Sequence, residues 1–214
     1  MMLKTNFFGD GNIGLYGYAS DKYCLLGCGP KGLKKIREAL RVPVHASTFM
    51  NTQFAGMFSA GNSRGIVASK LIYEIKRLEE KMDVLALDTR YTALGNLVLM
   101  NDKGIILSPL LKRHKNAIGK FFGLPCEISK VAGLNVVGSA GIATNKGCLL
   151  HPKAREKEAA LVAKTLGVPV DTGSVSFGSY YVKSGIIANS NGAVVSGSSS
   201  GVELGKISEA LGFL

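Results

Sequence analysis

The sequence predicts an α/β fold made of five quasi-equivalent repeats closed into a ring. Three observations carry this reading. A turn signal rich in Asn, Asp and Gly recurs between apolar runs, a second apolar marker follows each turn at a near-constant delay, and both chain ends are apolar. The fullest copy runs from Gly95 to Pro109. There Leu97-Val98-Leu99 and Ile105-Ile106-Leu107 flank Asn101-Asp102-Lys103-Gly104, and Ser108-Pro109 reads as an N-cap with a first-turn proline.

The turn signal returns as Asn62-Ser63-Arg64-Gly65, Thr144-Asn145-Lys146-Gly147 and Asn189-Ser190-Asn191-Gly192, with a degenerate copy at Ser20-Asp21-Lys22-Tyr23. Anchored at Tyr23, Gly65, Gly104, Gly147 and Gly192, the intervals are 42, 39, 43 and 45 residues. The second marker appears as Val42-Pro43-Val44, Val84-Leu85, Leu124-Pro125, Val168-Pro169-Val170 and Gly212-Phe213-Leu214. Self-similarity at such a period defines a repeat architecture. Five units use nearly all 214 residues, which predicts one domain over 1–214 with repeats at about 1–50, 51–92, 93–134, 135–178 and 179–214.

Each unit reads as a strand pair, a helix and a return strand. The first opens on Phe7 to Tyr16, a strand after a glycine-loosened start. Leu33, Ile36 and Leu40 then share one helical face, and Val42 to Ala46 returns as a strand. The second has strands at Gly56 to Ala60 and Ile66 to Ala68, and a return strand at Val84 to Leu87. Its helix spans Ser69 to Lys81, with Leu71, Ile72, Ile75 and Leu78 at helical spacing. The third helix runs from Pro109 to about Phe122, packing Leu111, Ile118, Phe121 and Phe122. The fourth starts near Pro152 and presents Leu161, Val162 and Leu166. In the fifth, Ser200-Gly201-Val202-Glu203 fits a capping box ahead of Leu204, Ile207 and Leu211. A linear array needs polar caps on its terminal repeats. Phe7-Phe8 and Phe213-Leu214 are apolar, so the first and last units are expected to cap each other.

Lys and Arg number 26 against 15 Asp and Glu, a formal charge of +11 that favours a polyanionic partner, RNA above all. Cys24, Cys28, Cys126 and Cys148 lack a zinc-ligand pattern and read as reduced core residues. The N-terminus lacks the pattern of a signal peptide, and no apolar run approaches the ~20 residues that cross a bilayer. A cytoplasmic protein without cofactor or metal is expected.

The chain resembles the archaeal translation initiation factor 6 family, the ribosome anti-association factors. The resemblance rests on Ala93-Leu94-Gly95-Asn96 with Asn101-Asp102-Lys103-Gly104, Gly167-Val168-Pro169-Val170, Ser176-Phe177-Gly178-Ser179, and Ser200-Gly201-Val202-Glu203-Leu204, in this order and spacing. It implies a pentein fold, an α/β propeller of five units around a pseudo-fivefold axis. It also implies a monomer that binds the large (50S) ribosomal subunit and sterically blocks joining of the small one, with a part in large-subunit maturation. The implied contacts are ribosomal protein uL14 and the region of the sarcin–ricin loop of the large rRNA.

In a closed ring the turns that open each unit form a rim of exposed loops: Gly11-Asn12, Gly56-Met57, Gly95-Asn96, Gly138-Ser139 and Ser184-Gly185. Small polar residues permit close backbone approach and directional hydrogen bonds. Asn12, Met57, Asn96, Ser139 and Ser184 are therefore the candidate ribosome-binding residues, and Asn96 matches the Gly-Asn position that the family places at its ribosomal-protein interface. Lys112, Arg113 and Lys115, with His114, are a second candidate set for rRNA phosphates, and the same residues also suit a solvated helix face.

Two other classes compete. Pentein-fold guanidine-modifying hydrolases and amidinotransferases use a Cys, a His and carboxylates gathered on the axis; here Cys148 and His151 would serve, with Asp88, Asp171 and His45 elsewhere. Against this, Cys148 begins an apolar strand and His151-Pro152 aligns with the helix start at Ser108-Pro109. A non-ribosomal RNA-binding module would need exposed aromatics for base stacking. Phe177-Gly178-Ser179-Tyr180-Tyr181 is the candidate, with Tyr180 and Tyr181 expected to pack in a strand. Gly27-Cys28-Gly29-Pro30-Lys31-Gly32 lacks the spacing of a phosphate-binding loop.

Overall fold

Fifteen strands make up five small sheets among the residues described by the computed structural model, 1–27 and 29–213. Cys28 and Leu214, read above as a core thiol and as part of the last marker, lie outside the described residues. The strands are β1 Met2–Thr5, β2 Gly17–Ala19, β3 Cys24–Leu26, β4 Val44–Ala46, β5 Ser59–Asn62, β6 Gly65–Ser69, β7 Val84–Leu87, β8 Val98–Met100, β9 Ile105–Leu107, β10 Cys126–Ile128, β11 Gly141–Ala143, β12 Cys148–Leu150, β13 Val170–Thr172, β14 Ile186–Asn189 and β15 Gly192–Ser196. The helices are α1 Leu33–Leu40, α2 Ala55–Phe58, α3 Ile75–Glu79, α4 Lys115–Phe122, α5 Glu156–Leu166 and α6 Gly201–Ala210.

Each sheet has three strands, in the orders β2-β3-β4, β5-β6-β7, β8-β9-β10, β11-β12-β13 and β14-β15-β1. The first two strands pair antiparallel through the Asn/Gly turn, as in Leu99 opposite Ile106. The third joins parallel, as in Glu127 beside Ile106, because a helix returns the chain to the same end. Middle strands such as Cys24–Leu26 and Gly192–Ser196 are buried throughout. Cover on both faces explains why they read as unbroken apolar runs rather than as alternation.

The sheets form a closed circuit. β2 lies against β5, β5 against β8, β8 against β11, β11 against β14, and β14 against β2. The hydrophobic cores follow the same circuit, each shared by two adjacent sheets. One joins Ala60 and Val67 to Val98 and Ile105, and another joins Ile187 and Val194 to Cys24 and Leu26. No unit buries its own sheet alone, so closure is part of folding.

Three expectations change. The return strand of the fifth sheet is β1, paired with β15 as Leu3 beside Val194, and not the C-terminal Gly212-Phe213. The chain's first strand therefore completes its last sheet and fastens the ring. Ile13–Leu15 is a 3-10 turn and Gly56 to Phe58 lies in α2, Ala55–Phe58, rather than in strands. The second helix spans only Ile75–Glu79: Ser69 Oγ accepts from Leu71 N at 3.3 Å, the segment before it runs in turns, and Leu71 is 48% exposed. Ser108 caps as expected, accepting from Leu110 N at 3.2 Å, and Ser200 and Glu203 form the capping box.

Candidate binding site at the mouth of the ring

The connection into each unit's first strand makes a short turn whose leading apolar residue is sunk in the core. Ile13, Ala55, Leu94, Val137 and Val182 are all fully buried. The next position is Gly14, Gly56, Gly95 and Gly138 in the first four units. A Cβ on any of these would stand between 1.8 and 2.3 Å from a backbone carbonyl oxygen of the preceding unit: Lys183 O, Gly14 O, Gly56 O and Gly95 O respectively. Gly138 N donates to Asn96 O at 2.9 Å, and Lys183 N donates to Ser139 O at 3.3 Å. Only glycine admits this approach, and it holds neighbouring turns in register.

The residue after that position is Leu15, Met57, Asn96, Ser139 or Ser184, each half-buried. Asn12, Leu15, Asn96, Ser139 and Ser184 line one depression of about 390 Å³ together with Tyr181 and Lys183. Four of the five sequence candidates thus meet at one place. Met57 does not line it, although its neighbour Gly56 does. Asn12 reaches the depression from outside the common register, since the first unit's counterpart of Asn96 is Leu15 and the Asn12 amide is held by Asp10 Oδ1 at 2.9 Å.

The fifth unit departs from the others. Its counterpart of the four glycines is Lys183, one residue before the Ser184-Gly185 pair chosen by sequence. The Lys183 side chain is directed across the ring, where Nζ donates to Gly56 O at 2.9 Å and Gly95 O at 2.6 Å. Burial pushes its amine down to about 7.

Beside the mouth lies an aromatic shelf. Phe177 is 84% exposed at φ 62°, and Tyr180 and Tyr181 are about half exposed, so the expectation that these tyrosines pack in a strand is corrected. The tight loop is held from below. Glu203 accepts from Phe177 N at 3.0 Å and Gly178 N at 2.9 Å. His151 meets both tyrosines edge-on, and the Lys153 ammonium stands 5.7 Å from the Tyr180 ring centre.

The basic set divides. Lys112 and Arg113 are exposed and line a groove of about 710 Å³ with His114, Arg90 and Tyr91. Lys115 instead pairs with Glu127 at 2.9 Å.

The groups of the enzymatic alternative are engaged apart from one another. Cys148 is fully buried in β12, and burial holds its thiol far above the ordinary range. His151 Nδ1 accepts from Lys153 N at 3.0 Å, Asp171 bonds Lys206, and Asp88 pairs with Lys70.

The Asn/Gly turns build a polar circuit at the opposite end of the ring. Asn62 Nδ2 donates to Asn101 O, Asn101 Nδ2 to Thr144 O, and Asn189 Nδ2 to Ser20 O, all within 3.0 Å. Outside it, Asp102 accepts from the Ser63 hydroxyl and Asn145 accepts from Asp102 N, at 2.8 and 2.9 Å. The turn residues recur because each fastens its unit to the next.

A model of the eIF-6 family matches almost the whole chain, from residue 2 to residue 210. The chain belongs to the eIF-6 family. It is 37% identical over 223 aligned residues to a protein named translation initiation factor 6 from Pyrococcus horikoshii, covering 99% of this chain and 98% of that one. A relative of the same name from Methanococcus vannielii is 39% identical with the same coverage, and one from Pyrococcus abyssi is 36% identical. The eIF-6 family resemblance and its archaeal relatives are thus as the sequence motifs predicted. Among the described residues no helix is long and apolar enough to cross a membrane.

Proposed function

We propose that this eIF-6 family member binds the large ribosomal subunit and sterically prevents its association with the small one, with a further part in large-subunit maturation. The observation that carries this reading is the family match over residues 2–210, joined to relatives named translation initiation factor 6 at nearly full length. The fold that suits it is a single pentein domain over 1–214, an α/β propeller of five units about a pseudo-fivefold axis, acting as a monomer in the cytoplasm. Its role is passive: a closed ring whose mouth docks and whose bulk obstructs.

Asn96, Ser139 and Ser184, with Asn12 at their edge, form the proposed docking surface for ribosomal protein uL14, because they share one depression floored by backbone. Met57 drops to a supporting place beside it. Lys112 and Arg113, with Arg90, are proposed to meet rRNA phosphates near the sarcin–ricin loop, and Lys115 is removed from that set by its bond to Glu127. Sucrose-gradient sedimentation with purified subunits tests the proposal: the protein should travel with large subunits and reduce the joined particle.

A further inference from the structure

Gly14, Gly56, Gly95 and Gly138 pack against the preceding unit's carbonyls, and the fifth unit places Lys183 at the same position. The fifth unit's neighbours in the circuit are the first and the fourth. The Lys183 main chain bonds the fourth, N–H to Ser139 O at 3.3 Å, but its ammonium passes both. Its Nζ reaches Gly56 O in the second unit and Gly95 O in the third, at 2.9 and 2.6 Å, on the far side of the ring. Lys183 lines both the mouth depression and a small inner cavity walled by Tyr18, Ala60, Val98, Ile142 and Ile187.

We infer that the centre of the ring is a monovalent-cation site built from backbone carbonyls, and that the chain occupies it with its own tethered ammonium group.

The chemistry of the donor set supports this. The acceptors are neutral carbonyl dipoles from two units, the ligands that replace the hydration shell of potassium or ammonium in a protein. Converging carbonyls repel one another unless a cation stands between them, and Gly56 O and Gly95 O both lie within 2.9 Å of the Lys183 Nζ. A tethered ammonium meets them at a high effective concentration, since its translational freedom was lost on folding. Burial lowers the amine to about 7 and the two carbonyl bonds act in the opposite sense, by favouring the protonated form. The inference is independent of any ribosomal partner.

Lys183→Gly restores the residue of the other four units and empties the site. Far-UV circular dichroism melts at pH 6 compare it with the parent protein in methylammonium chloride and in tetramethylammonium chloride at equal ionic strength. The expected result is a Tm loss of roughly 5 °C, reversed by methylammonium, which can donate to carbonyls, and not by tetramethylammonium, which cannot. The parent protein should respond equally to both salts. Lys183→Met, which fills the space without a donor, should lose stability that neither salt restores. If Lys183→Gly does not fold unaided, refolding in methylammonium alone supports the site, and refolding in neither salt overturns it. A Lys183→Gly melt equal to the parent's, or one raised equally by the two salts, also overturns it.

Discussion

The Asn101 amide nitrogen donates to Thr144 O at 3.0 Å, binding one unit's turn to the next unit's backbone. The same side chain donates to Leu166 O at 2.9 Å, while its Oδ1 accepts from Lys103 N and Gly104 N at 2.9 and 3.0 Å. All four hydrogen-bonding positions of a 5%-exposed side chain are used, two inside the turn and two across to the neighbouring unit. Removing it leaves buried carbonyls and amides unpaired, at about 1–3 kcal/mol for each such group. Asn101→Ala should therefore destabilise the fold by about 3 kcal/mol or more, seen as a lowered denaturation midpoint. Asn191→Ala, in an exposed part of the corresponding fifth turn, should cost much less.

Asn96 occupies the mouth without a core role. Asn96→Arg should leave the melting temperature within about 2 °C of the parent and weaken co-sedimentation with large subunits. Unchanged co-sedimentation would remove Asn96 from the interface.

The division of the basic set has its own consequence. Neutralising a lysine or arginine that contacts phosphate lowers the slope of log affinity against log salt by roughly 0.7–0.9. Lys112→Ala and Arg113→Ala should each reduce the salt slope of large-subunit binding by about that amount. Lys115→Ala should leave it in place, because Lys115 is bonded to Glu127. Equal slopes for all three variants would assign the whole set to a solvated helix face.

Three glutamates hold equivalent tight loops. Glu74 accepts from Met50 N and Asn51 N, Glu158 from Ala132 N and Gly133 N, and Glu203 from Phe177 N and Gly178 N. Desolvation raises each carboxyl, but the backbone donors together outweigh it and leave all three below the usual glutamate value. The unfolded chain therefore takes up these protons first as pH falls. The stabilisation is complete above the ordinary value of about 4.3 and is lost as pH drops through the depressed folded values. Melts between pH 7 and pH 3 should show this loss. Glu158→Gln should melt lower at pH 7 and converge with the parent at the acid end.

Much of the fold was legible in the sequence because its repeating residues answer repeating constraints. Gly104 and Gly147 stand against the carbonyls of Thr165 and Ala210, at the ends of helices from the next unit, where a Cβ would come within 2.0 Å. The same approach puts glycine at four of the five anchors, Tyr23 standing at the first, and the period of the turns follows. The partner of β15 was not legible. Met2-Leu3-Lys4-Thr5 is a short stretch, and its parallel pairing across the whole chain leaves no local trace. Lys183 was missed for a related reason. Gly185 lies two residues further on and offers a false register, and only the folded chain brings an ammonium against carbonyls of the opposite units. The exposure of Phe177 depends on a φ of 62° imposed by Glu203, which alternation of apolar residues does not encode.

Light scattering of purified small and large subunits, mixed with and without this protein, tests the central claim most directly. Preincubating the large subunit with the protein should suppress the joined particle, in proportion to occupancy and with no substrate consumed. Joining that proceeds at the same rate and extent while the protein is bound would contradict the account.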